Sequence, residues 1–99
     1  MKEKQYNTKN ISLVNEVVCD YFKVSISDIY SKNRTSKITL ARGFIIFILH
    51  NNKKLSISTL SNEYKRIPRA IFWHCAKMRD YMDCYSEYRK IYDELCKHI

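Results

Sequence analysis

Apolar residues recur with a helical period along most of the chain. Between Ile11 and Phe22 they fall at 11, 14, 18, 21 and 22, which predicts an amphipathic helix. Residues 1–10 ahead of it are polar and basic and are expected to fray as a tail. Ser25 to Tyr30 predicts a short second helix, capped by Ser25 with Asp28 three residues on. Ser31 to Lys37 is polar, basic and without period, and reads as a loop. Ile38 to Leu49 is apolar on nearly every side, the mark of a central buried helix. Gly43 inside it costs on the order of 1 kcal/mol relative to alanine. Either simple tolerance or the close approach of another backbone or of DNA accounts for it. His50 to Lys54 connects to a short helix, Ser56 to Tyr64, with Ile57, Leu60 and Tyr64 inward. Lys65-Arg66-Ile67 is a turn, and Pro68 suits the first position of a new helix, where its missing N–H costs nothing. That helix runs to about Met82, with Ile71, Cys75, Met78 and Met82 on one stripe. Asp83 reads as the N-cap of a last helix carrying Tyr85, Tyr88, Tyr92 and Leu95.

The expected fold class is therefore all-α, with about six helices in one domain over residues 11–98. One glycine and one proline in 99 residues agree with long helices and few tight turns. An apolar fraction of 45% is enough for a core. The longest apolar run, Phe44 to Leu49, is far short of the roughly 18 residues that a membrane span needs. The polar start, Met1 to Asn7, lacks the apolar stretch of a signal peptide. A cytoplasmic protein with reduced thiols at Cys19, Cys75, Cys84 and Cys96 is expected. No C-x-x-C pair occurs, and zinc would have to recruit His74, Cys75 and Cys84 at unusual spacing, so no metal and no cofactor are expected.

Charge narrows the function. The formal net charge is +8, and the acids gather toward the two ends. No acid lies between Asp28 and Glu63, a stretch holding Lys32, Arg34, Lys37, Arg42, Lys53 and Lys54. Lys65, Arg66, Arg69, Lys77 and Arg79 follow before the next acid, Asp80. A basic middle of this kind is the footprint of a polyanion site; its bland counterpart is a solvated surface. Two helices joined by a tight turn, the second opening at Pro68, form a helix-turn-helix pattern, which suits entry of a helix into the major groove. With Ile71, Cys75 and Met78 inward, Arg69, Trp73, Ala76, Lys77 and Asp80 face outward. Arg69 is placed for base edges and Lys77 for a phosphate. Trp73 suits a sugar or thymine methyl, or equally packing against the last helix. Lys65 and Arg66 in the turn suit the phosphate backbone.

The order of these elements resembles the C-terminal DNA-binding domain of the bacterial replication initiator DnaA. Val18-Cys19-Asp20-Tyr21-Phe22-Lys23-Val24 is similar to that domain's opening helix and its aromatic end. Asp28-Ile29-Tyr30-Ser31-Lys32-Asn33-Arg34 looks like the family's D-L-L-S-K-x-R stretch into its basic loop. Ala41-Arg42 stands where the family tends to have Pro-Arg, and Leu60 to Tyr64 resembles the first helix of its helix-turn-helix. The helix from Pro68, with Cys75, Lys77 and Met78, resembles the second. The similarity runs over roughly residues 11–97 and implies a DnaA C-terminal-domain, Trp-repressor-like fold that binds double-stranded DNA. It implies Arg34 in the minor groove, Lys32 and Lys37 on flanking phosphates, Arg42 on the backbone, and the helix from Pro68 in the adjacent major groove. The family's Gly-Gly-Arg-Asp-His-Ser/Thr-Thr signature is replaced by Lys65-Arg66-Ile67-Pro68-Arg69-Ala70, one residue shorter, so its target sequence does not carry over. No phosphate-binding G-x-x-x-x-G-K-[S/T] loop occurs, so ATP chemistry is not expected.

An enzyme is not expected. His50, His74 and His98 have no carboxylate or nucleophile at useful spacing, and adjacent His74 and Cys75 point about 100° apart on a helix. The expected role is a regulator or replication accessory of a bacterium, phage or mobile element. The alternative is a protein-interaction module, an inhibitor or adaptor, working or self-associating through the tyrosine stripe Tyr81, Tyr85, Tyr88 and Tyr92. A structured RNA is a third possible ligand, because a basic face does not by itself distinguish duplexes.

Overall fold

The computed structural model describes the backbone of residues 2–99 and the side chains of residues 8–99. Among the described residues there are six helices and no strand: α1 (Lys2–Phe22), α2 (Ile26–Tyr30), α3 (Ser36–Asn51), α4 (Ile57–Tyr64), α5 (Pro68–Cys84) and α6 (Ser86–Cys96). No helix among the described residues is long and apolar enough to cross a membrane. α3 is the axle of the fold and packs on α1 and α5, while α2 and α4 close its flanks. Its residues from Ala41 to Leu49 are all buried, as an all-round apolar helix must be. α6 packs on α5 and α1, burying Leu95.

Local chemistry sets the helix ends. Ser25 Oγ accepts from the Asp28 N–H at 3.1 Å, and Asp28 Oδ2 accepts from the Ser25 N–H at 3.3 Å, the reciprocal cap expected of α2. Ser56 Oγ caps α4 by accepting from the Thr59 N–H at 3.1 Å. Lys65 ends α4 in the left-handed region at φ 53°, with its N–H donating to the Ser61 carbonyl.

Two boundaries differ from expectation. Residues 2–10, expected as a tail, belong to α1, and Asn10 and Ile11 are already buried. Asp83 does not cap the last helix. α5 continues through it to Cys84, and the break falls at Tyr85, whose extended backbone carries no side-chain cap. A bond from the Tyr85 N–H to the Tyr81 carbonyl (2.8 Å) completes the last turn of α5.

A side chain, rather than another backbone, comes close at Gly43. A Cβ there would meet Met78 Sδ at 3.0 Å and Met78 Cγ at 3.3 Å, so glycine lets α3 and α5 approach with Met78 between them. Gly43→Val is expected to overpack this crossing and lower stability by about 2 kcal/mol. Urea unfolding followed by circular dichroism checks it, and an unchanged midpoint would refute this account of the glycine.

Candidate nucleic-acid interface

The basic loop, residues 31–35, lies between α2 and α3 and is tightly held. Asn33 Oδ1 accepts from the Thr35 N–H at 2.8 Å and from its hydroxyl at 2.6 Å. Ser31 Oγ donates to the Asp28 carbonyl at 2.6 Å and accepts from the Asn33 N–H at 3.2 Å. Beneath the loop lies Arg42, which is only 3% exposed. Its Nε donates to the Ile29 carbonyl at 2.9 Å. One terminal nitrogen reaches the carbonyls of Asp28, Ser31 and Asn33 at 3.1, 3.1 and 3.2 Å. Burial and the neighbouring Arg66 charge lower its pKa to about 10. Arg42 was expected on the DNA backbone. It fastens the loop instead, because its guanidinium is turned inward onto backbone carbonyls.

Arg66 needs a similar correction. It stands in the turn between α4 and α5, half-buried, and a terminal nitrogen donates to the Ser31 carbonyl at 2.6 Å. Ser61 Oγ donates in turn to the Arg66 carbonyl. Burial first, and then the Arg34 charge, lower the Arg66 pKa. Its Nε is buried without a hydrogen-bond partner among the described residues. Arg66 thus ties the helix-turn-helix to the basic loop rather than standing open to a phosphate.

The remaining expected residues are presented outward. Lys32, Arg34 and Lys37 are exposed on the loop and the first turn of α3, and Lys65 and Arg69 are exposed on either side of Pro68. Trp73 is 49% exposed and meets the His74 ring edge-on at 5.0 Å. Lys77 is exposed and lies over the Trp73 ring at 5.5 Å and over Tyr81 at 5.6 Å. Arg34, Thr39, Gly43, Trp73, His74 and Lys77 line one cleft of about 380 Å³ between the loop, α3 and α5. The loop and the helix from Pro68, found separately in the sequence, therefore share one face. The acid-free stretch is not one patch, however. Lys53 and Lys54 follow the far end of α3, a 16-residue helix about 24 Å long.

His74 lies at the back of this cleft, 8% exposed. Burial first, then the charges of Arg42 and Arg66, push its pKa down to about 4, so it is neutral at pH 7. Behind the turn, a polar network joins α1, α2 and α4. Tyr64 Oη donates to Asn15 Oδ1 at 2.8 Å, Asn15 Nδ2 donates to Tyr30 Oη at 3.1 Å, and Tyr30 Oη donates to Glu63 at 2.5 Å. The Tyr30 and Tyr64 rings stack at 5.0 Å. Burial and the Glu63 carboxylate push the Tyr30 phenol up to about 12.

Sequence reasoning passed over Ile67 and Phe72, exposed at 67% and 66% beside Arg69. Their signal was available: neither belongs to the Ile71, Cys75, Met78 stripe. The tyrosine stripe is mostly core cover. Tyr81, Tyr88 and Tyr92 are half-buried against the core, and only Tyr85 of the four is exposed. Among the described residues, no three His, Cys, Asp or Glu side chains converge as metal ligands. Cys19 and Cys75 are buried free thiols, pushed up by that burial, whereas Cys84 is exposed.

The family described as bacterial DnaA protein helix-turn-helix matches residues 11–78, from α1 through most of α5. A chromosomal replication initiator protein DnaA of Treponema denticola is 31% identical over 86 residues, which are 86% of this chain and 18% of that protein. Proteins of the same name are 24% identical over 98 residues in Onion yellows phytoplasma and 25% identical over 99 residues in Acholeplasma laidlawii. These cover 99% of this chain in both cases, and 19% and 22% of those proteins. The chain thus spans about a fifth of the length of the curated relatives it matches. With the loop, the turn and most of the second helix inside the matched span, the chain belongs to the bacterial DnaA helix-turn-helix family, the DNA-binding class to which its sequence pointed.

Proposed function

We propose that the chain binds double-stranded DNA in two adjacent grooves, as a regulator or replication accessory. Arg34 enters the minor groove from the basic loop. α5 lies in the next major groove with Arg69 at base edges. Lys32, Lys37, Lys65 and Lys77 sit on phosphates. The observation that carries this reading is the shared face: Arg34, Trp73 and Lys77 line one cleft, and no carboxylate lines it among the described residues. Arg42 and Arg66 support the loop from inside and drop out of the contact set.

Arg69 is the charged side chain left for direct readout near the start of α5, with the exposed apolar residues Ile67, Phe72 and Trp73 close to it in sequence. An arginine suits guanine, and the apolar neighbours suit thymine methyls. The sequence preference therefore differs from that of relatives carrying the Asp-His-Thr readers.

The test is binding to random-sequence duplex and to a selected pool across a salt series. With about four phosphate contacts, log K falls against log salt with a slope of about −3.6. Arg34→Ala and Arg69→Ala each weaken binding by roughly tenfold, and Arg69→Ala also flattens sequence preference. An unchanged affinity in both variants would sink the two-groove mode. A duplex RNA competitor that displaces DNA at equal concentration would redirect the reading to RNA.

A further inference from the structure

We propose that the cleft between the basic loop and α5 binds a nucleotide whose base face is free, such as an unpaired nucleotide of a DNA strand; only the arrival of a strand there rests on the DNA-binding reading. The walls supply both halves of such a ligand. Arg34 from the loop side and Lys77 from α5 are two cations lining one space, with no lining carboxylate among the described residues. That pairing suits a phosphate. Lys77 Nζ is held over the Trp73 and Tyr81 rings, 5.5 and 5.6 Å from their centroids, which fixes the ammonium at the rim.

The rings supply the other half. Tyr81 is already engaged on both sides, stacked on Tyr88 at 5.1 Å and covered by Lys77. Trp73 is the half-exposed ring on the same wall; Lys77 lies over it and His74 meets it in a T-shaped contact, but no ring among the described residues is stacked on it. Leu40, Gly43 and Met78 give the cleft an apolar side, and its volume of about 380 Å³ is in the range of small-ligand clefts. A base inside an intact duplex has both faces stacked on its neighbours and offers none to an indole. A bulged, gapped, single-stranded or free nucleotide does.

Trp73 is the single tryptophan of the chain, so its emission reports directly on the cleft. The whole chain is titrated with thymidine monophosphate, with inorganic phosphate, with an intact duplex and with the same duplex carrying one bulged nucleotide. Labelled-DNA anisotropy supplies the affinities. The expected result is quenching by the bulged duplex and about tenfold tighter binding of it than of the intact duplex. Trp73→Phe keeps that preference, and Trp73→Leu loses it. Quenching by the free nucleotide as well extends the site to unattached nucleotides, while quenching confined to the bulged duplex restricts it to strands. Equal affinity for the two duplexes without nucleotide quenching overturns the proposal, as does inorganic phosphate reproducing the nucleotide's effect. Failure of the intact duplex to bind at low salt overturns the duplex reading instead, and leaves this one to the nucleotide titration.

Discussion

Arg42→Met is expected to lower the thermal midpoint by about 15 °C, corresponding to a loss of about 3 kcal/mol for a domain of this size. The methionine keeps most of the volume and the apolar contacts of the arginine stem. What it removes is a set of charge-assisted donors to the carbonyls of Asp28, Ile29, Ser31 and Asn33. The Ile29 and Asn33 carbonyls then lose their donor in a site where Arg42 itself is almost fully buried, while those of Asp28 and Ser31 keep Ser31 and Arg66. Arg42→Lys is not expected to rescue, because one compact ammonium cannot replace a planar fork reaching four acceptors. Amide hydrogen exchange should rise first at residues 31–35, and DNA affinity should fall with it at temperatures where the helices persist. A midpoint within a few degrees of the parent would show that the loop is held by something other than Arg42.

His74 gives the second large effect, and it depends on pH. Its folded pKa of about 4 lies below the ordinary value of 6.5. Between those limits the unfolded chain binds more protons at this residue than the folded chain, so stability falls as pH drops through the window. By pH 5 the loss reaches about 2 kcal/mol relative to pH 7, at about 1.4 kcal/mol per pH unit. His74→Leu removes a titrating group of similar size, so its acid leg should be shallower by that amount while the two proteins differ little in slope above pH 7. Urea midpoints of both proteins at pH 7 and pH 5 make the comparison, with the carboxylates common to each. Parallel acid legs would mean that His74 takes up its proton as readily in the folded chain as in the unfolded one, and would defeat the assignment.

Much of the fold was legible because it rests on local rules. The α3 run from Ile38 to Leu49, the Ser25–Asp28 cap and the Pro68 helix start each depend on residues within a few positions of one another. The helix-turn-helix and the basic loop followed from those elements and from the absence of acids. The direction of Arg42 did not. An arginine on a helix that is apolar all round gives no periodic sign of pointing inward, and its acceptors are backbone carbonyls 9 to 14 positions away. Arg66 bonds to Ser31 across 35 positions, and Tyr64 to Asn15 across 49. Such pairs are created by the fold and leave no local pattern. Asp83 misled for the opposite reason: a good capping residue is also tolerated on the exposed side of a helix that continues past it.

The Ser31 carbonyl receives both Arg42 and Arg66, so loop and helix-turn-helix are fastened at one atom. Two probes joined this way cannot drift apart to follow their target. In the two-groove reading they demand a fixed angular offset between one groove and the next, and the protein becomes a gauge of helical twist. Overwinding or underwinding the DNA would move one groove out from under its probe, so affinity should change with superhelical density even when every base of the site is unaltered.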